Sequence, residues 1–259
     1  MSAEQQTGSG PHLSVVIPVY NEQACIQANL RQVLDYLSQQ PFPSEVIVVD
    51  DGSRDDTAAL VGEVAHSAPS LRLIRNDHRG KAYAVRTGVL AAEGDYVLFA
   101  DADLATPIHQ AEKLLAALES GYDVAIGSRE GYGARRYNEP WTRHLMGRVF
   151  NLVVRALVMG QHRDTQCGFK AFTRAAAQDI FRSVHLYGPS APVLNAPLVT
   201  GFDVELLYLA HLKGYRVADL PVEWHYGPGS KVNPLRDSWR NFKDVLRVRY
   251  YALCGRYGE

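Results

Sequence analysis

The apolar run Tyr96-Val97-Leu98-Phe99-Ala100 ends directly on Asp101-Ala102-Asp103, and this junction narrows the folds open to the chain more than any other stretch. A short, unbroken apolar run without polar alternation is the pattern of a strand buried on both faces, as where helices cover a parallel sheet. The two carboxylates then fall at the strand's carboxyl end, the edge at which open α/β sheets bind their ligands. Like charges brought together there require a positive partner. A hard divalent cation shared with phosphate oxygens is one such partner, since Mg²⁺ is commonly held by one or two protein carboxylates. Two acids on a solvated turn is the plain alternative for so short a motif.

The surrounding sequence repeats the strand pattern at Leu13 to Val19, Glu45 to Val49, Leu71 to Ile74 and Asp123 to Ile126. Helical patterns alternate with these runs. Between Gln23 and Leu37, the residues Ile26, Leu30, Val33, Leu34 and Leu37 recur at helical spacing. Asp55 or Asp56 is placed to cap the next helix, which carries Leu60, Val61 and Val64. Lys81 to Ala92 forms a third that closes at Gly94, and Pro107 opens a fourth that stops at Gly121. This alternation predicts βαβ units, hence an α/β fold with a mainly parallel central sheet flanked by helices.

The second half is less regular. Helices are expected at Trp141 to Met159, Phe202 to Leu212 and Asp237 to Tyr250, a strand at Tyr215 to Val222, and a loop at Tyr187 to Thr200. The apolar stripe of the first of these helices, with Arg143, Arg148 and Arg155 around it, suits packing on the sheet or contact with lipid.

Composition excludes several classes. A net charge of -1 over 259 residues leaves no basic field for nucleic acid. From Lys231 onward, however, cations dominate and interleave with Trp239, Phe242, Tyr250 and Tyr251. That stretch suits an anionic membrane surface, or else a solvated helix face. Cys25, Cys167 and Cys254 lie far apart without a C-x-x-C pair, which argues against a disulfide framework and a structural zinc site and for a reducing compartment. The first ten residues are polar and unlike a signal peptide. No run approaches the ~18 apolar residues of a spanning helix. The expected location is cytoplasmic, at the cytoplasmic face of a membrane.

The other strand ends carry chemistry as well. The first ends in Pro18-Val19-Tyr20-Asn21-Glu22 and the second in Asp50-Asp51-Gly52-Ser53, so three polar strand ends form one cleft. Each alone has an ordinary explanation as a turn or a helix cap. A Rossmann G-x-G-x-x-G and a P-loop G-K-[ST] are both missing.

Taken in order, Pro18 to Glu22, Val49 to Ser53, Gly80-Lys81 and Asp101-Ala102-Asp103 resemble the family 2 glycosyltransferases of the GT-A fold. Further segments resemble the dolichyl-phosphate β-glucosyltransferases among them: Gly127-Ser128-Arg129, Arg163 to Lys170, Phe202 to Leu207 and Gly229-Ser230-Lys231. The resemblance runs from about Leu13 to the C-terminal helix. It implies one GT-A catalytic domain over 12–259, after a flexible tail over 1–11 and with C-terminal amphipathic helices. Residues 12–129 would bind the nucleotide sugar, and 130–259 the acceptor.

The resemblance also implies roles. Pro18 and Tyr20 pack on the base and ribose, with Glu22 and Ala102 alongside, and Asp50 or Asp51 accepts the imide N–H of uracil. Arg79 and Lys81 reach the pyrophosphate, or are solvated charges at a helix start. Asp101 and Asp103 hold Mn²⁺ or Mg²⁺ on the diphosphate. The mannose synthases of the same family carry Gln two residues past the second Asp; here Ala105-Thr106 follows, which leaves water or Thr106 to complete coordination. Arg129, Arg163, Lys170 and Lys231 supply cations for a polyprenyl phosphate, with Ser230 as a donor. Asp164 orients an Arg or sugar hydroxyls, or is a base if the acceptor is a hydroxyl. Gln166, Asp203 and Glu205 bind the hexose or brace those cations, and only one of the helical pair Asp203 and Glu205 is expected to face the site.

The reaction implied is inverting, metal-dependent transfer of a hexose, most readily glucose, from a UDP-sugar to polyprenyl or dolichyl phosphate, with peripheral contact to a membrane. Transfer to a soluble hydroxyl, and mannose transfer from GDP-mannose, are the alternatives within the fold. A non-catalytic binder is disfavoured because both carboxylates of the D-x-D are present. A nucleotidylyltransferase is disfavoured because strand one is not followed by a Gly-rich basic segment.

Overall fold

The computed structural model describes residues 10–141, 147–148, 162–195, 200–227 and 234–257. Most of the helix expected at 141–159, the end of the 187–200 loop and nearly all of the N-terminal tail lie outside the described residues.

Seven strands form the main sheet: β1 (Leu13–Val19), β2 (Ser44–Asp50), β3 (Leu71–Arg75), β4 (Tyr96–Ala100), β5 (Val124–Ser128), β7 (Phe169–Thr173) and β8 (Val217–Pro221). Their order is β3-β2-β1-β4-β7-β5-β8. Every pairing is parallel except the two made by β7, which runs antiparallel between β4 and β5. A second, two-stranded sheet pairs β6 (Arg135–Tyr137) with β9 (Glu223–His225). The helices are α1 (Ile26–Ser38), α2 (Thr57–Ser67), α3 (Lys81–Ala91), α4 (Ala111–Glu119), α5 (Arg174–Arg182), α6 (Phe202–Leu212) and α7 (Pro234–Leu253).

Strand composition explains the layering. All seven residues of β1 are buried, and Val46 to Val49 of β2 are fully buried, as expected for strands covered on both faces. One core, with Val15, Ile17, Val46, Leu98 and Phe169, meets Ile26, Leu30 and Val33 of α1 and Leu114 of α4. The other, with Val16, Ile47, Phe99 and Phe172, meets Val85 of α3, Ile180 of α5 and Leu206 of α6.

The chain leaves β1 toward β2 and β3 on one side, then crosses to β4 on the other. The β1–β2 ladder continues to Val19 and Asp50, whereas β1–β4 pairing ends at Val16 and Phe99. Pro18, which has no N–H to donate, sits just past that end. A crevice therefore opens between β1 and β4 at their carboxyl ends, the topological switch point where such sheets take ligands. Among the described residues, no helix is long and apolar enough to cross a membrane.

Candidate active site

The ends of β1 and β2 are locked together first. Asn21 has a left-handed backbone (φ 53°), tolerable for Asn. Its N–H donates to Ser53 Oγ at 2.9 Å and its Oδ1 accepts from Arg54 N at 2.8 Å. Glu22 N donates to Thr57 Oγ1 at 2.8 Å. The two acids at the end of β2 then take different tasks. Asp51 is 2% exposed and accepts from Arg79 N at 2.9 Å, Gly80 N at 2.8 Å and His78 Nδ1 at 2.7 Å. It therefore fixes the start of α3, where Gly80 needs a positive φ of 97°. Burial, the largest influence, lifts the Asp51 carboxyl above its usual range against these donors. Asp50 is fully buried; Oδ1 accepts from Ser53 N at 3.1 Å, and Oδ2 has no hydrogen-bond partner, with Arg75 Nε at 3.7 Å. Of the two, Asp50 is the one with an acceptor oxygen that no hydrogen bond occupies. An orphaned buried acceptor is costly, so its presence at a ligand edge points to a donor supplied from outside.

His78 was not singled out from sequence, where a lone histidine gives no signal. Its ring stacks on Tyr20 at 4.0 Å and 9° while Nδ1 meets Asp51. It thus couples the end of β2 to the aromatic residue at the end of β1.

Because Asp51 sets the start of α3, Lys81 is aimed across the crevice, and its ammonium contacts the Asp101 carboxylate. Burial works against the charge on Lys81, but Asp101, then Asp203 and Asp103, outweigh it and raise its pKa. Asp103 is pushed up, first by burial and next by the charge of Asp101, although Ala105 N donates to it at 3.0 Å. Leu104 follows with a left-handed backbone (φ 49°), a strained conformation for a branched residue that keeps the turn tight. Ala102 is buried, and its carbonyl accepts from Asn29 Nδ2 at 2.8 Å. Gly168 lies against Asp101: a Cβ there would come 2.3 Å from Oδ2 and 2.5 Å from Oδ1.

Lys170, on β7, is fully buried and donates to Asp203 Oδ1 and the Cys167 carbonyl, each at 2.5 Å. The acceptor-phosphate role expected for Lys170 is corrected by this burial: it braces Asp203 instead. The cluster around the crevice thus holds Asp101, Asp103 and Asp203, with Glu22 near enough to act on Asp103, against two ammoniums, Lys81 and Lys170. Carboxylates outnumber cations there, an excess of negative charge that a cation offsets. The two hard carboxylates of Asp101 and Asp103 fit Mg²⁺ or Mn²⁺, which proteins commonly hold by one or two carboxylates. Among the described residues, no group of three His, Cys, Asp or Glu surrounds a metal position, so diphosphate and water would complete the shell. Thr106 does not fill that place: it is 6% exposed, and its hydroxyl lies 3.8 Å from Cys167 Sγ.

The other expected residues divide. Arg129 follows β5 and grips Asp164 through Nε at 2.7 Å and Nη2 at 2.9 Å, with Trp224 across its face at 5.4 Å. Asp164 is fully buried and also accepts from Arg129 N and Gln166 N. Burial would raise its pKa, but the guanidinium holds it well below the carboxylate range. The base role allowed for Asp164 is thereby corrected: its oxygens are occupied, and it orients Arg129. His225 N donates to Ala105 O at 2.7 Å, so β9 and Trp224 border the D-x-D turn. Arg163 is exposed over Gly131. Arg79 donates to the Pro189 and Ala191 carbonyls, and Leu194 N donates to His78 O at 2.6 Å, which tethers the 187–195 segment to the start of α3.

Glu205 is corrected as a sugar ligand. It is fully buried on the far side of α6, accepting from His185 N at 2.8 Å, from Leu186 N and from Tyr257 OH at 2.9 Å, and burial raises its pKa to about 7. Ser230 and Lys231 lie outside the described residues.

A switch-point crevice edged by the clamped ends of β1 and β2 and by a D-x-D turn is the arrangement of a glycosyltransferase of the GT-A fold. Residues 14–181 match the family model for glycosyl transferase family 2. The chain belongs to that family and is a glycosyltransferase. It is 34% identical to the dolichyl-phosphate β-glucosyltransferase of Dictyostelium discoideum, over 94% of this chain and 76% of the relative. Against the human protein of that name the identity is 35% with the same coverage, and against that of Saccharomyces cerevisiae 34%, over 99% of this chain and 79% of the relative. Among solved structures, glucosyl-3-phosphoglycerate synthase from Mycobacterium tuberculosis, crystallised with Mn²⁺, UDP and phosphoglyceric acid, superposes with a TM-score of 0.61 at 20% identity, covering 96% of this chain and 79% of that one. Mannosyl-3-phosphoglycerate synthase from Rubrobacter xylanophilus gives 0.63 at 20% identity, covering 95% and 76%. These two share the fold.

Proposed function

We propose that the chain transfers glucose from UDP-glucose to a polyprenyl or dolichyl phosphate, with inversion at the anomeric carbon. The observation that carries this is the excess of carboxylates over ammoniums around Lys81 at the switch point, on the edge where Asp50 retains a buried acceptor oxygen. Asp50 Oδ2 would accept the uracil imide N–H, Tyr20 would pack on the base, and Lys81 would meet the diphosphate. Bound at Asp101 and Asp103, Mn²⁺ or Mg²⁺ would neutralise charge developing on the departing UDP.

A phosphate monoester is ionised at neutral pH, so its oxygen attacks the anomeric carbon without a general base. The closed Arg129–Asp164 pair supports such an acceptor over a hydroxyl, because Asp164 is not available to remove a proton. Arg163 and Lys231 would attract the phosphate and Gln166 the hexose, while Arg129 stays committed to Asp164. The names of the relatives support glucose and a dolichyl acceptor, and such an acceptor is met at a membrane surface.

The test is a two-phase assay. Purified protein and Mn²⁺ or Mg²⁺ are incubated with labelled UDP-glucose, or GDP-mannose in parallel, and a short polyprenyl phosphate. Label is expected in the organic phase from UDP-glucose alone and only with metal. Label from GDP-mannose alone would overturn the donor. UDP-sugar binding with no lipid label from either donor would overturn the acceptor.

A further inference from the structure

Among the described residues, four of the eight exposed large hydrophobic side chains lie on α7: Trp239 (59% exposed), Leu246 (44%), Tyr250 (57%) and Leu253 (73%). Their spacing of seven, four and three residues puts them on one side of the helix, with exposed Lys243 in the same row. The opposite side is embedded: Val245 and Val248 are fully buried, and Asn241 and Asp244 nearly so. Exposure on this scale is not fraying, because α7 is anchored where it meets α6. Asp244 accepts from Tyr187 OH at 2.8 Å and from Gly201 N at 3.1 Å, immediately before α6 begins.

The charges around the stripe are of one sign. From Trp239 to Tyr257 there are five cations, Arg240, Lys243, Arg247, Arg249 and Arg256, and a single acid, Asp244, which is buried. Helical geometry places Arg247 on one flank of the stripe and Arg249 on the other. Lys243 Nζ lies 5.6 Å over the Trp239 ring, with its stem along the apolar row. Long cationic side chains on either side of a Trp, Tyr and Leu row are the composition of a helix lying in the plane of a membrane interface. A second copy seated on the same face would set its five cations against these five, so charge disfavours self-association there.

We propose that this face of α7 docks the protein in plane on an anionic phospholipid bilayer. The apolar row enters the headgroup boundary, and the flanking cations meet lipid phosphates. As a surface it stands on its own side chains; as the route by which a lipid phosphate reaches the crevice it rests on the proposed transfer.

The full-length protein is sedimented with vesicles of phosphatidylcholine alone or mixed with phosphatidylglycerol, as wild type, as the triple variant Leu246→Ser/Tyr250→Ser/Leu253→Ser, and as Lys243→Glu/Arg247→Glu. Transfer to a short polyprenyl phosphate in detergent is measured for all three. Wild type is expected on the anionic vesicles and not on the neutral ones. Each variant should bind them at least about tenfold more weakly, with its detergent activity kept within about twofold of wild type. Equal vesicle binding by all three proteins, or none by wild type, overturns the proposal. So does a concentration-dependent dimer, seen by light scattering, that the variants lose while wild type ignores vesicles. Vesicle binding that depends on these residues in a protein with no detergent activity supports the surface and overturns the reaction instead.

Discussion

Two clusters that each set cations against aspartates sit on either side of β7 and have opposite characters. At the end of β4, Lys81 and Asp101 are 39% and 35% exposed, and Asp103 and Asp203 leave the cluster with more acid than base. At the end of β5, Arg129 and Asp164 are 19% and 0% exposed and balance each other through two hydrogen bonds. The first is open and richer in acid than in base, which is the basis of the proposed uptake of a cation and a diphosphate. The second is closed and neutral, so it holds a loop in shape. Residue type does not separate machinery from brace; stoichiometry and access do.

The comparison breaks most readily at the closed pair. Asp164→Ala leaves a mostly buried guanidinium without its counter-charge, and removal of one partner of a buried pair costs ~3–5 kcal/mol. The denaturant midpoint should fall accordingly. A stability loss below ~1 kcal/mol would show that the pair is not a brace. At the open cluster the expectation reverses. Asp101→Asn should leave the midpoint unchanged or raised, because repulsion with Asp103 is relieved. Turnover should fall about 10²–10³-fold, equivalent to ~2.7–4 kcal/mol of lost electrostatic stabilisation. Gly168→Ala tests the same cluster without touching a charge. The added methyl must displace the Asp101 carboxylate, and a shift of about 1 Å in a reacting geometry costs ~10²-fold. Wild-type turnover in that variant would mean that the Asp101 position is not critical.

How much of this could be read from the chain follows the same division. The ends of β1, β2 and β4 were legible because buried parallel strands write themselves as apolar runs that stop on polar residues. Strand β7 was not. Phe169-Lys170-Ala171-Phe172 carries a lysine where a central strand should be apolar, and its partner Asp203 is 33 residues away. Its antiparallel insertion between β4 and β5 likewise leaves no local mark. Lys170 and Glu205 were placed in the acceptor site because a sequence displays charge and hides burial. His78 was overlooked because only the fold brings it to Tyr20 and Asp51.

The smallest effect concerns Glu205, a carboxylate with neither the access of the open cluster nor the counter-charge of the closed one. Burial raises its pKa from 4.5 to about 7 in the folded protein. Between those values the folded chain retains a proton that the unfolded chain has released, so stability falls as pH rises from 4.5 to about 7 and is level above. Glu205→Gln should flatten the pH dependence of the melting temperature across that window. An unaltered slope would place the titration elsewhere.

The most direct measurement is Mn²⁺ binding followed by electron paramagnetic resonance, with and without UDP, in wild type and in Asp101→Asn. If the open cluster is a cation and diphosphate site, wild type takes up about one Mn²⁺ per chain when UDP is present, and the variant loses most of that uptake while remaining folded. Equal Mn²⁺ uptake by the two proteins would contradict the account, because the excess carboxylate at the end of β4 would then have no part in holding the metal.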